Sequence, residues 1–403
     1  MKILMVSKTY PLAADCGGTG AMARVIAEGL LARGHEVQLL ASRRLPNCTQ
    51  NGIPIDAPLV IDQPDPQKRP ESWTAWDKVQ FLHKARHNYL AVREALQRIK
   101  PDLVYLNDIE LLTGSVYSAC VDAAVPTVWH AHDHLLYEMV RGKENHAPVS
   151  FKQRLLNRIT CDRPREAFFA APVIAVSRFL ADRYLSLGWP PERVQVVPNG
   201  IPDYFFLPRE RSRSQEGVLR LLFVGRCVED KGVYLLPELL ELLHRRDLKA
   251  NLTLVGEFRS LADQQEFQQI AAEQGLKDSL LFRGVVPRED MPAVYAQADC
   301  LLAPSLCDEA FGLMSVEAQA VGTPVVAFKA GGLVETLEDG QTGFLCERGD
   351  VQALAECLLR LHQEEGLWER MSAAATVFAS EHFRSEDKVL TIERILTGVV
   401  GSS

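Results

Sequence analysis

CDEAFGLMSVEAQAVGTPVV, residues 307–326, carries two glutamates, Glu309 and Glu317, in an otherwise small and apolar run. The spacing predicts a helix starting near Phe311, with Leu313, Val316, Glu317 and Ala320 at the i, i+3, i+4, i+7 positions of one buried face. Gly322 and Pro324 end it, and Pro324–Phe328 reads as a short buried strand. A buried carboxylate without a partner is costly, so Glu317 needs one. Two ribose hydroxyls would satisfy its oxygens; a protein arginine or a backbone amide would do so equally. Glu309 waits just ahead of the helix, where the amides of Phe311, Gly312 and Leu313 open an anion site.

Working outward, the strand–helix rhythm extends along the chain. Lys2–Ser7 reads as a strand, followed by CGGTG (16–20) and a helix with Met22, Val25, Ile26, Gly29 and Leu30 on one face. Further strands are predicted at 36–41, 103–106, 127–131, 173–176 and 194–197. The pattern restarts after the polar, charged segment PRERSRSQEG (208–217). Strands at 219–225, 251–255, 280–283, 300–303, 324–328 and 343–346 follow, with a helix over 233–243, and the last ~50 residues read as helices. Two successive α/β units imply two Rossmann-like, doubly wound domains. At 403 residues the chain also exceeds one ordinary core.

Composition is that of a soluble globular protein, 47% apolar and 24% charged, with no apolar run near the ~18 residues of a membrane span. The short opening apolar run fits a first strand better than a signal peptide. Nine scattered cysteines without a CxxC pair favour reduced thiols in a cytoplasm over disulfides or a zinc site. The net charge of −8 is uneven: residues 1–200 hold 24 basic and 20 acidic side chains, the remainder 20 and 32. The first half should therefore suit anionic partners better, unless the asymmetry is chance scatter. Residues 66–100, with Trp73, Trp76, Phe81 and Tyr89 among Lys68, Arg69, Lys78, Lys84 and Arg86, are candidates for a peripheral membrane or anionic-acceptor contact, as is the basic segment 151–166. The plainer alternative is an amphipathic surface helix with solvated lysines.

Ligands of doubly wound sheets bind beyond the strands' carboxyl ends, so the loops there matter most. In CGGTG, Gly17 and Gly18 allow close backbone approach and precede a helix N-terminus. The GxGxxG spacing and a GxxxxGK[ST] loop are both missing, which disfavours hydride-transfer enzymes and P-loop chemistry. In VGRCVEDKG (224–232), Arg226 and Lys231 could neutralise a pyrophosphate without a metal, or pair with Glu229 or Asp230 at the surface. In VWHAHDHLL (128–136), His130, His132, Asp133 and His134 suggest metal ligands, yet no second cluster completes a zinc site.

The residues resemble a known family. LLFVGRCVEDKG, VGEF, LFRGVV, DCLLAPS, EAFGLMSVEAQAVGTPVVA and GGLVETLEDGQTGFL are similar to family 4 of the retaining nucleotide-sugar glycosyltransferases, and Glu309 and Glu317 match its E-x7-E pair. The first half is similar more loosely, through KILMVS…CGGTG, PTVWHAHD, AVSRFL and VVPNGI. The resemblance implies a GT-B fold: an acceptor domain over 1–200, a nucleotide-sugar domain over 201–380, a cleft between them, and a C-terminal helix over 381–403 crossing back to the first domain. It implies that Gly17, Gly18, Arg226, Lys231 and the amides of Phe311, Gly312 and Leu313 hold the donor diphosphate. Glu317 would take the ribose, and the turns at Gly256, Glu257, Phe258 and Val285, Val286 the base. Glu309 would contact the transferred sugar, with His132 near its C6 hydroxyl; Asn199 and Gly200 match the inter-domain turn. The Cys307–Asp308 step departs from the family pattern and leaves the role of Asp308 open.

The expected reaction is metal-independent, retaining transfer of a hexose-type sugar from a nucleotide diphosphate sugar, by attack on the leaving-group face. The acceptor would be a sugar, glycolipid or small molecule. No cofactor, metal or nucleic acid is expected. The expected location is the cytoplasm, with a peripheral site at the inner membrane face as the variant reading. An epimerase of the same fold or a non-catalytic nucleotide-binding relative are the alternatives. A glycoside hydrolase also uses paired carboxylates, but these surroundings are built for phosphate.

Overall fold

The computed structural model describes residues 1–10, 17–43, 45–61, 74–109, 112–141, 163, 165–209 and 217–401. The chain divides into two compact units, Met1–Pro198 with Glu386–Ser403, and Asn199–Ser385.

The first unit is built on a sheet of order β3-β4-β2-β1-β5-β6-β7-β8. Its strands are β1 Lys2–Ser7, β2 Glu36–Ser42, β3 Cys48–Gln50, β4 Ile53–Leu59, β5 Leu103–Asp108, β6 Thr127–Ala131, β7 Val173–Ala175 and β8 Val194–Val196. The pairs are parallel except β3–β4. That hairpin is not in the sequence reading, although the Asn51–Gly52 dipeptide, with both residues at positive φ, supplies the turn it needs. The helices are α1 Gly17–Ala32, α2 Ala75–Ile99, α3 Ser115–Asp122, α4 Leu135–Arg141, α5 Arg165–Phe168 and α6 Arg178–Ser186. β1 and β5 are buried almost throughout, as expected of strands covered on both faces.

The second unit has the all-parallel order β11-β10-β9-β12-β13-β14. Its strands are β9 Leu219–Val224, β10 Ala250–Val255, β11 Leu280–Gly284, β12 Cys300–Ala303, β13 Val325–Phe328 and β14 Gly343–Cys346. Helices α7 Leu236–Arg245, α8 Leu261–Glu273, α9 Met291–Ala296, α10 Leu313–Ala320, α11 Val351–Gln363 and α12 Leu367–His382 accompany them. Phe223, Leu239, Leu252, Phe267 and Leu354 are among the core residues that join sheet and helices. The helix expected over 233–243 instead begins as a 3-10 turn, Val233–Leu235, before α7. Pro237 stands in the first turn of α7, where its missing N–H costs nothing.

The last helix, α13 Ser385–Gly401, packs within the first unit from Glu386 onward. Val389 lies against Gly29, and Glu393 accepts from Arg33 Nε and bonds His35 Nε2, at 2.5 and 2.8 Å. These contacts hold Glu393 below the usual carboxylate range, chiefly through the hydrogen bonds from Arg33 and His35.

Candidate functional site

In the second unit, the loops after β9, β10, β11, β12 and β13 are tied together at the carboxyl edge of the sheet. Gly225 N donates to Val255 O, Gly256 N to Gly284 O, and Cys227 N to Glu257 O, so the first three turns lie side by side. Leu306 N and Cys307 N both donate to Asp230 O, which fastens the β12 loop to the β9 loop. Gly232 sits at φ +71 with space for no side chain: a Cβ there would stand 1.9 Å from Pro304 O. These bonds turn residues distant in sequence into one surface.

On that surface Glu309 Oε1 accepts from Lys231 Nζ at 2.6 Å and from Ser305 Oγ at 2.5 Å. Its backbone is clamped too, donating to Ala330 O and accepting from Gly332 N. Both charged side chains are mostly covered, at 12% and 21% exposure, so the pair is stronger than a solvated surface bridge. Arg226 is exposed, and no described carboxylate pairs with it, Glu229 and Asp230 included. Asp308, the residue that departs from the family pattern, pairs with Arg348 at 2.5 Å.

The sequence places the helix start near Phe311, but α10 begins at Leu313. Gly312 adopts φ +106, which breaks the helix before it; a Cβ there would meet Leu333 Cδ1 at 2.4 Å. Phe311 is buried against Phe383, with ring centroids 5.8 Å apart. No side chain caps α10 and no acidic residue lies in its first turn, so its amide end keeps its anion affinity.

Glu317 is buried at 5% exposure, on the face the periodicity selects. Its Oε2 accepts from Tyr295 Oη at 2.8 Å, and Oε1 lies 2.5 Å from Arg288 Nη2. The latter approach lacks hydrogen-bond alignment and is an ion pair by proximity. A protein arginine thus meets the carboxylate, one of the partners left open by the sequence. Arg288 also lies over the Phe205 ring, 5.7 Å from its centroid. Sequence reasoning missed Arg288 because it stands two residues past the Val285–Val286 turn with nothing periodic to mark it. Glu257 and Val285 are exposed, whereas the Phe258 ring packs on Phe267 and Phe282, so it serves the core as well as the turn.

In the first unit, Gly17 begins α1 and Gly18 is exposed in its first turn. His132 follows β6, and its Nε2 donates to Asn107 Oδ1 at 3.0 Å. The Asn107 amide nitrogen in turn reaches Ser7 Oγ and Thr19 O, each at 3.4 Å. Asp108 accepts from Thr9 Oγ1 at 3.1 Å and lies 3.9 Å from Lys8 Nζ. Asn107 and Asp108 went unsingled in the sequence, although they end the apolar run of β5. His130 is buried, bonds the Tyr105 hydroxyl and lies tilted against His132, with ring centroids 3.9 Å apart. Burial, then the neighbouring His132, pushes its pKa well below the usual value, so it is neutral. His134 turns away to Arg183, and no group of three or more His, Cys, Asp or Glu is arranged to hold a metal among the described residues.

Of the residues 66–100, Lys84 is buried at 2% exposure and so is no solvated cation; residues 66–73 and 151–162 lie outside the described residues. No described helix is long and apolar enough to cross a membrane.

Two family models account for most of the chain: "Glycosyl transferase 4-like domain" matches residues 17–200 and "Glycosyl transferases group 1" matches residues 207–378. The chain belongs to the glycosyltransferases of the family 4 kind and has their GT-B fold. The chain is 31% identical to the D-inositol 3-phosphate glycosyltransferase of Paenarthrobacter aurescens over 58% of its own length and 59% of that relative. It is 26% identical to the protein of that name from an Arthrobacter species, over 95% of its own length and 90% of the other. The chain thus spans about half to three fifths of the length of most of the curated relatives it matches. Among solved structures, Anabaena HepE in complex with UDP superposes with a TM-score of 0.71 at 22% identity, covering 99% of this chain and 100% of HepE. That likeness carries the fold.

Proposed function

We propose that the protein transfers a hexose-type sugar from a nucleotide diphosphate sugar to an acceptor hydroxyl, with retention and without a metal ion. The observation that carries the reading is the covered Lys231–Glu309 pair, on a surface that also holds an exposed Arg226 and an uncapped helix start. Breaking the bond between the anomeric carbon and the diphosphate builds negative charge on the leaving oxygens. Arg226, Lys231 and the first amides of α10 supply fixed positive potential for that charge, which is usually the largest catalytic contribution. Lys231 moves its interaction from Glu309 toward the phosphate, and Glu309 then offsets positive charge at the anomeric carbon. The acceptor hydroxyl attacks on the leaving-group side, and the departing phosphate takes its proton.

Glu317, paired with Arg288 and oriented by Tyr295, retains lone pairs for ribose hydroxyls. The base goes to the Gly256–Phe258 and Val285–Val286 turns. The first unit contributes the Gly17–Gly18 turn and His132, held in one tautomer by Asn107, and it takes the acceptor: a sugar, a glycolipid or a small molecule. The HepE complex makes UDP the first nucleotide to try.

Calorimetric titration with UDP, GDP and ADP in EDTA tests the reading. Micromolar binding of one diphosphate in EDTA is expected; binding that appears only when magnesium is restored would overturn the metal-free part. Failure of all three with magnesium present would overturn the diphosphate site.

A further inference from the structure

One pair of thiols is closer than chance scatter explains. Cys346 ends β14 and Cys357 lies in the middle of α11, with their sulfurs 3.6 Å apart. Cys346 is buried, while Cys357 is half-buried and so reachable from solvent. Arg360, less than one turn further along α11, lies over the Phe344 ring of β14, 5.0 Å from its centroid. The Cys346 hydrogen bond, with help from the Arg360 charge, holds Cys357 below the ordinary thiol range against burial and the fields of Asp339 and Glu356. The same bond, followed by burial, pushes Cys346 up. Cys357, the more exposed of the two, is the sulfur an oxidant reaches first, and the buried Cys346 lies beside it to resolve.

We propose that Cys346 and Cys357 are a modification site, closing to a reversible disulfide whose formation is felt at Glu309. Closure to a bonded separation of about 2.05 Å brings the sulfurs together by roughly 1.5 Å. With hydrogen peroxide as oxidant, the Cys357 thiolate attacks an oxygen; an S–O bond forms, the O–O bond breaks, and the displaced oxygen leaves as water after taking a proton. Cys346 then attacks the Cys357 sulfur; the S–S bond forms, the S–O bond breaks, and hydroxide leaves as water with the Cys346 proton. The dithiol loses two electrons and one peroxide becomes two waters. A small dithiol reverses the step by exchange.

The route to Glu309 is short. Cys346 O accepts from Lys329 N at 2.8 Å, and the next residues, Ala330 and Gly332, hold the Glu309 backbone at 3.4 and 2.7 Å. A displaced β14 end therefore enters the segment that positions the carboxylate. The effect on transfer rests on the proposed function; the disulfide itself does not.

The test oxidises the full chain with hydrogen peroxide, alkylates remaining thiols, and maps tryptic peptides by mass. Residues 330–348 and 349–360 carry Cys346 and Cys357 on separate tryptic peptides. Expected is a joined 330–348/349–360 species that dithiothreitol releases and Cys357→Ser lacks. Separate alkylation of both after oxidation overturns the site. So does preferential linkage to the 289–329 peptide, which carries Cys300 and Cys307. Transfer by the oxidised wild type should fall about tenfold or more, since a displacement near 1 Å can cost on the order of 10²-fold. Dithiothreitol should restore it, and Cys357→Ser should be spared. Joined peptides with unchanged transfer overturn the coupling to Glu309, and the mapping stands whichever way the activity reading falls.

Discussion

Lys84→Met tests whether the cation on the buried face of α2 is desolvated at a cost to the fold. Lys84 is 2% exposed, its Nζ makes no hydrogen bond, and the Phe81 ring lies 5.5 Å from it. Burial lowers its pKa from 10.5 to about 8. At about 1.4 kcal/mol per pH unit, that difference corresponds to about 3 kcal/mol of penalty carried by the folded charge. The sign follows from the direction of the shift. Below pH 8 the lysine is charged in both states and the penalty is fully present. As pH rises from about 8 toward 10.5 the folded lysine is neutral while the unfolded one still releases its proton, and the penalty fades. Methionine keeps the stem and removes the charge, at the loss of a cation–π contact worth about 0.5–1 kcal/mol. The variant should therefore be more stable by about 2 kcal/mol at pH 7, with the gain shrinking toward pH 10.5. Urea unfolding at both pH values, followed through the buried Trp129 and Trp189 of the same unit, measures it. Equal midpoints at pH 7, or a gain that does not shrink, would refute the desolvation argument. A gain would also remove Lys84 from the set of cations offered to a membrane or acceptor.

Three further outcomes bear on the candidate site. Glu309→Gln should lower transfer by about 10²-fold while leaving the affinity for the free nucleotide diphosphate within about threefold, since its part is in stabilising the transition state; unchanged turnover takes it out of the chemistry. Lys231→Ala should cost about 2 kcal/mol or more of diphosphate binding, because its charge contact is largely desolvated. Calorimetry with a mono- and a diphosphate checks it, and equal losses for both would contradict contact with the terminal phosphate. Gly232→Ala should destabilise the second unit by at least about 2 kcal/mol, through the positive φ and the collision with Pro304 O. A thermal shift indistinguishable from wild type would show that the β9 and β12 loops can separate freely.

Several features were legible in the sequence because they depend on local pattern. The apolar runs at 103–106 and 300–303 could be little else than buried strands, and Glu317 could be placed on the inner face of its helix from spacing alone. The helix start was misplaced by two residues because a glycine at positive φ is invisible until the chain beside it, here Leu333, is known. The β3–β4 hairpin was missed for a related reason: β3 has only three residues, and its partner lies across a turn whose register only pairing defines.

What the sequence by itself determined is the alternation of elements, the two-unit plan and the pair of glutamates eight residues apart, since each is written in periodicity and spacing. What only the tertiary structure decided is who meets whom. Lys231 is far from Glu309 along the chain, Arg288 from Glu317, and Asn107 from His132. Those pairings follow from parallel strands delivering their carboxyl ends to one edge, where backbone bonds such as Cys307 N to Asp230 O fix the loops side by side. Lys84 makes the same point in reverse: a lysine reads as solvated in any sequence, and only packing around α2 could bury it.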